Sequence, residues 1–145
     1  MGITNALAKS GALLVATGLL VALNVGLLMG PAEAIALRGT PSDDRVVGTP
    51  TADRIVLRGG DDVARGRGGA DVILGGPGDD VLYPGRGRDL VNGGRGDDEI
   101  ILAPDGRRDL VICGPGHDVV VAIPELDPSD RLIGCEEVLF LLIQA

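Results

Sequence analysis

The sequence predicts an all-β solenoid, a parallel coil of very short strands wound from nine-residue units. Three observations predict it. Asp44, Asp53, Asp62, Asp71, Asp80, Asp89 and Asp98 follow one another at intervals of nine residues. Two residues after each stands Val46, Ile55, Ala64, Ile73, Leu82, Val91 or Ile100. Two residues before the later aspartates stands Gly60, Gly69, Gly78, Gly87 or Gly96, with Ser42 and Thr51 in that place in the first two units. A repeat this short cannot bury a face alone, so it must stack on its neighbours.

The totals set the frame. The chain has 145 residues, enough for one domain, with 1% aromatics and no Trp, which excludes a conventional globular core. Its 24 glycines would suit a disordered low-complexity segment, but disorder does not place an aliphatic residue at every ninth position. A net charge of −8 argues against nucleic acid and anionic membranes as partners and suits a cation-binding protein.

Residues 1–36 differ from the rest. Lys9 is the only lysine of the chain, the stretch from Gly11 to Gly30 is almost wholly apolar, and Pro31-Ala32-Glu33-Ala34-Ile35-Ala36 supplies small residues for cleavage after Ala34 or Ala36. The expectation is a signal peptide. The alternative is a retained membrane anchor, because the apolar run approaches the length of a membrane helix. Either way the repeats end outside the cytoplasm, secreted or held at the membrane.

The units run 39–47, 48–56, 57–65, 66–74, 75–83, 84–92 and 93–101, then an irregular one at 102–112 and a regular one at 113–121 with Asp118 and Val120. The first six residues are mostly Gly, Pro, Arg and Asp, which make turns, and the last three are largely aliphatic, which make strand. The register never reverses, so hairpins are excluded. Within Val81-Leu82-Tyr83 and its equivalents the middle residue points one way and its neighbours the other. The middle series is purely aliphatic and is expected inside. Cys113 and Cys135 are the only cysteines. In an exported chain the default is a disulfide between them; the alternative is two buried free thiols.

The unit Gly75-Gly76-Pro77-Gly78-Asp79-Asp80-Val81-Leu82-Tyr83 resembles the G-G-x-G-x-D-x-U-x nonapeptide of the RTX (hemolysin-type) calcium-binding family. The resemblance extends over residues 39–121. It implies that residues 37–121 form a parallel β-roll, a two-sheet right-handed solenoid with two units per turn. One edge would then stack Asp44, Asp62, Asp80, Asp98 and Asp118, and the other Asp53, Asp71, Asp89 and Asp109. It further implies several Ca²⁺ ions, each between a unit and the next but one, held by sixth-position aspartates and turn carbonyls. The residues so assigned to metal are Asp53, Asp62, Asp71, Asp80, Asp89, Asp98 and Asp118, with the turn glycines Gly60, Gly69, Gly76, Gly78, Gly85, Gly87, Gly94 and Gly96. Pro41-Ser42 and Pro50-Thr51 depart from the pattern in the first two units, and Arg107 departs from it near Asp109.

The chemistry agrees with that ion. Calcium takes six to eight oxygens in flexible geometry, whereas magnesium demands a tight octahedron, and zinc and copper favour nitrogen or sulfur. Carboxylates stacked at the strand spacing of about 4.8 Å repel one another, and a divalent cation between coils reverses that. The core is thin, so the roll is expected to fold with its metal. The competing reading gives the aspartates only a turn-capping role.

The fifth position carries a second period: Asp43, Ala52, Asp61, Ala70, Asp79, Arg88, Asp97, Arg108 and His117. One edge is therefore the more acidic, either as solvated charge left by an eighteen-residue duplication or as a surface for cations or polycations. Residues 122–145 leave the repeat and are expected to cap the open end, clipped down by a Cys113–Cys135 bridge. An outward stripe of Val56, Val72, Leu74, Leu90, Leu110 and Ile112 could also be covered by something.

The expected function is a secreted, non-catalytic calcium-binding repeat protein, a monomer serving as a calcium-dependent structural or adhesive module with a cell-surface or extracellular partner. The alternatives are an accessory or remnant RTX module of a secreted enzyme and an ice-binding or surface-adhesion solenoid. No Ser/His/Asp arrangement or H-E-x-x-H motif occurs, and no row of outward Thr suits ice.

Overall fold

In the computed structural model, which describes residues 19–21 and 34–141, every regular element is a strand. The strands are β1 (Leu19–Val21), β2 (Ala36–Arg38), β3 (Arg45–Val47), β4 (Arg54–Val56), β5 (Val63–Gly68), β6 (Val72–Pro77), β7 (Val81–Arg86), β8 (Leu90–Arg95), β9 (Glu99–Leu102), β10 (Leu110–Ile112), β11 (Val119–Ala122), β12 (Arg131–Ile133) and β13 (Glu137–Phe140). They alternate between two parallel sheets. One has the order β1-β3-β5-β7-β9-β11-β13 and the other β12-β10-β8-β6-β4-β2. Each nonapeptide crosses to the opposite sheet and each pair of units closes one coil, which is the parallel β-roll.

Register follows the sequence period. Ala64 pairs with Leu82 and Ile73 with Val91, so the eighth residues of alternate units stack. That row, from Leu37 through Val46, Ile55, Ala64, Ile73, Leu82, Val91, Ile100 and Val111 to Val120, is buried throughout. The inward assignment of the middle aliphatic residue is therefore correct.

The strands are longer than three residues in the middle of the roll. β5 to β8 each span six residues, with every second residue turned inward over the first four. The pairing continues past the aliphatic triplet into turn residues, as in Gly76 with Gly94 and Pro77 with Arg95. Composition hides this, because glycine lacks strand propensity; here it stays extended because the first residue of each unit also points inward. Where that residue is not small it joins the core, as Leu57, Leu102 and Cys113 do.

The C-terminal segment does not leave the architecture. β12 pairs with β10 and β13 with β11, both parallel and in register with the coils before them. The end of the roll is thus one more coil, stretched by the turn around Pro124 to Asp130. At its rim Leu139, Phe140 and Leu141 are exposed.

At the other end the backbone of β1 pairs in parallel with β3. The expected signal peptide or anchor of residues 1–36 otherwise lies outside the described residues, apart from 34–36. Among the described residues no helix is long and apolar enough to cross a membrane.

Candidate metal centre

The sixth-position aspartates are the only acidic residues of the repeat turned inward, and their backbone explains why. The residue two places on is the core aliphatic, so alternation along the strand points the aspartate to the same side. Asp62, Asp71, Asp80 and Asp98 are each 1% exposed and Asp118 is fully buried. Isolated charges are not buried without partners, so the carboxylates must be bonded, neutralised or paired with a cation.

Half of each carboxylate is satisfied by the preceding coil. The N–H of Asp44 donates to Oδ1 of Asp62, that of Asp62 to Asp80, that of Asp80 to Asp98 and that of Asp98 to Asp118, at 2.6–2.9 Å. On the other edge the N–H groups of Asp53, Asp71 and Asp89 donate to Asp71, Asp89 and Asp109, at 2.7–2.8 Å. The two stacked rows read from the sequence are therefore both present.

The other half is not satisfied. Oδ2 of Asp62, Asp71, Asp80, Asp89, Asp98 and Asp118 is buried without a hydrogen-bond partner. Burial, the first cause, and then the neighbouring carboxylates raise the pKa from 3.8 against the lowering effect of the backbone N–H. It reaches about 6 at Asp62, Asp71, Asp89 and Asp98 and about 7 at Asp80 and Asp109. Asp118 moves in the same direction for the same first reason. A ladder of carboxyls uncomfortable as anions yet lacking donors for one oxygen each is what a row of cation ligands looks like without the cation.

Backbone oxygens border the same spaces. A Cβ built on Gly75 would strike both Oδ2 of Asp80 and the Gly93 carbonyl, and one on Gly66 would strike Oδ2 of Asp71 and the Pro84 carbonyl. At Gly93 the pair is Oδ2 of Asp98 and the Cys113 carbonyl. Gly76 and Gly78, with φ of 129° and 137°, pass so close to the carbonyls of Arg58 and Gly60 that no side chain fits there either. Only glycine combines positive φ with that approach. No three His, Cys, Asp or Glu side chains converge among the described residues. An ion between coils would therefore draw mainly on carbonyls with one or two carboxylates, an all-oxygen set suited to calcium.

The assigned residues divide. Asp62, Asp71, Asp80, Asp89, Asp98 and Asp118 carry the free oxygens, and Gly60, Gly69, Gly76, Gly78, Gly85, Gly87, Gly94 and Gly96 all have positive φ in the intervening turns. Asp53 does not carry one. Its carboxylate accepts from the N–H of Thr49 and from the Thr49 hydroxyl, at 3.0 Å for the latter. Asp44 is closed in the same way by Thr40. A threonine at the second position thus supplies the donors that the later units lack, a local signal that reading the fourth position alone passes over. Asp109 retains the ladder bond despite Arg107.

The ladders also extend further than the sixth-position rule. Asp130 accepts from the N–H of Asp109 and Glu136 from that of Asp118, both at 2.9 Å. Both lie two residues before an aliphatic residue, Leu132 and Val138, which is the same signal with an altered spacing. Arg58 and Arg67 hold positive φ, 90° and 85°, at the second position where later units have glycine. The Cys113–Cys135 disulfide is formed, with 5.2 Å between the Cα atoms.

Comparison with known proteins supports the same assignment. The family model of the RTX calcium-binding nonapeptide repeat matches residues 38–73, 56–91 and 65–100. No curated protein and no solved structure matches the chain significantly. The matched residues include Asp62, Asp71, Asp80, Asp89 and Asp98, whose Oδ2 atoms are orphaned, and over residues 38–100 the chain carries repeats of the RTX calcium-binding nonapeptide family.

Proposed function

We propose that this calcium-binding repeat protein is a non-catalytic module exported from the cytoplasm, in which calcium sets the stiffness of a structural or adhesive rod. The observation that carries the reading is the set of six Oδ2 atoms buried without hydrogen-bond partners, those of Asp62, Asp80, Asp98 and Asp118 on one edge and of Asp71 and Asp89 on the other. Bound calcium would supply the positive charge that these oxygens lack. The chain's own part is to hold each carboxylate in place through the N–H of the preceding coil and to present carbonyls beside it.

Several features support a role outside the cytoplasm and without catalysis. A disulfide persists in oxidising compartments. The polar groups assembled in the roll are carboxylates and carbonyls facing one another between coils, an arrangement suited to holding cations.

Isothermal titration of the calcium-free chain tests the reading, with magnesium in parallel. Binding of several calcium ions at about 10⁻⁴–10⁻³ M, with magnesium much weaker, is the expected result. Failure to bind calcium, or equal binding of magnesium, would refute it.

A further inference from the structure

The fifth residue of each unit sits at the lip of a turn, one place before the ladder aspartate. On the edge leading into β3, β5, β7, β9 and β11 it is Asp43, Asp61, Asp79, Asp97 and His117, all exposed. These residues make a ladder of their own. The N–H groups of Asp61, Asp79, Asp97 and His117 donate to Oδ1 of Asp43, Asp61, Asp79 and Asp97, at 2.8–3.0 Å. The side chains are thus held in one row at the pitch of the coil. Half-buried Val63 and Val81 lie alongside, two residues on.

The opposite edge carries the complement. The same position there holds Ala52 and Ala70 in the first coils and then Arg88 and Arg108, both exposed. Leu90 and Leu110 lie alongside and, with Val72, Ile133 and Arg131, line a shallow depression on the outer face of the sheet. One roll therefore presents an acidic row beside valines on one edge and a basic row beside leucines on the other. Both rows repeat once per coil, about 4.8 Å. A register that matches Arg88 to an aspartate of another roll therefore also matches Arg108 to the next.

We propose that the Arg88–Arg108 edge of one chain docks against the Asp61–Asp97 edge of a second copy, so that rolls associate side by side. A single exposed ion pair contributes little; a commensurate row with an apolar strip beside it gives the contact both register and area. The two edges are different surfaces, so the contact is heterologous and every docked copy still offers one free edge of each kind. Association by this route extends into ribbons and is opposed by the net charge of −8. It therefore needs the calcium-loaded roll, and salt weakens it.

Sedimentation velocity on the calcium-loaded full chain tests this, using two charge-swapped variants. Arg88→Asp with Arg108→Asp makes both edges acidic, and Asp61→Arg with Asp79→Arg and Asp97→Arg makes the Asp61–Asp97 stretch basic as well. The fold already accepts either charge at this position, and circular dichroism in calcium checks that each variant is folded. The expected result is wild-type mass that rises with concentration at low salt and falls to monomer at about 0.5 M salt. Each variant alone should remain monomeric, and an equimolar mixture should regain association. If the aspartate variant fails to fold, loss of wild-type association in Arg88→Asp with Arg108→Asp still carries the test. A wild-type chain monomeric at every concentration would overturn the proposal. So would a mixture of folded variants that stays monomeric, or association indifferent to salt and to both swaps, which would place the contact elsewhere, such as at exposed Phe140.

Discussion

The backbone N–H of Asp62 donates to Oδ1 of Asp80, 2.9 Å away and one coil further along the chain, while Oδ2 of Asp80 stays buried with no partner. One contact thus fixes the register of two coils and aims a bare carboxylate oxygen between them. The metal-dependent behaviour expected of the protein follows from that division of labour within a single side chain.

Replacing Asp80 should cost calcium binding more than replacing Asp44, whose second oxygen is already bonded to Thr40. Asp80→Asn keeps an acceptor for the Asp62 N–H but loses the anionic oxygen. It should lose about one bound ion while stabilising the calcium-free roll, because a buried unpaired charge is removed. Counting ions by equilibrium dialysis, together with the β-signal of each chain in chelator, separates the two effects. Equal losses from Asp80→Ala and Asp44→Ala would contradict the grading of the sites.

Acid and calcium should act in opposition. Asp62, Asp71, Asp89 and Asp98 have pKa values raised to about 6, and Asp80 and Asp109 to about 7, from 3.8. The folded calcium-free chain therefore binds more protons than the unfolded chain between these limits. Its stability is highest below pH about 4 and is lost as pH rises through 6 to 7. In chelator, β-signal should be small at pH 8 and grow on acidification to pH 5. The same acidification should weaken calcium binding to the folded roll, since protons and calcium compete for one oxygen. Circular dichroism reads the first trend and isothermal titration the second.

The disulfide should act locally. The Cys113 carbonyl borders the space beside Oδ2 of Asp98, and the bridge closes a sequence separation of 22 residues. Closing such a loop stabilises by about 3 kcal/mol, and solenoid coils couple mainly to their neighbours. Reduction should weaken the site at Asp98 and loosen Val120 and Val138, leaving the coils around Asp71 and Asp80 able to bind. Hydrogen exchange with and without reductant measures this. Loss of protection along the whole roll would mean that the last coil nucleates folding.

Arg67 holds a φ of 85° where Gly85 and Gly94 occupy the equivalent turns. A side chain in that region costs roughly 1 kcal/mol. Arg67→Gly should therefore raise the stability of the calcium-loaded roll by about that amount, less the extra entropy that glycine brings to the unfolded chain. Chemical denaturation in saturating calcium provides the measurement.

The roll was legible because its signal repeats. A nine-residue period in Asp and in the aliphatic residue after it fixes which side chains stack, and the two carboxylate rows follow directly. What was hidden depends on contacts between coils rather than on residue type. The strands through Gly75-Gly76-Pro77 are invisible to propensity because their extension comes from pairing with Gly93-Gly94-Arg95. Thr49 closing Asp53 is a four-residue relation inside a turn, and periodicity does not report it. Asp130 and Glu136 fell outside a strict ninefold count although each precedes its aliphatic residue at the usual distance.

A calcium titration followed by far-ultraviolet circular dichroism tests the central claim most directly, starting from chain freed of metal at neutral pH. The buried carboxylate oxygens between coils predict little β-signal at the outset and a cooperative gain near 10⁻⁴–10⁻³ M calcium, with melting temperature rising as calcium increases further. Full β-signal in excess chelator, with a melting temperature that calcium does not move, would contradict it.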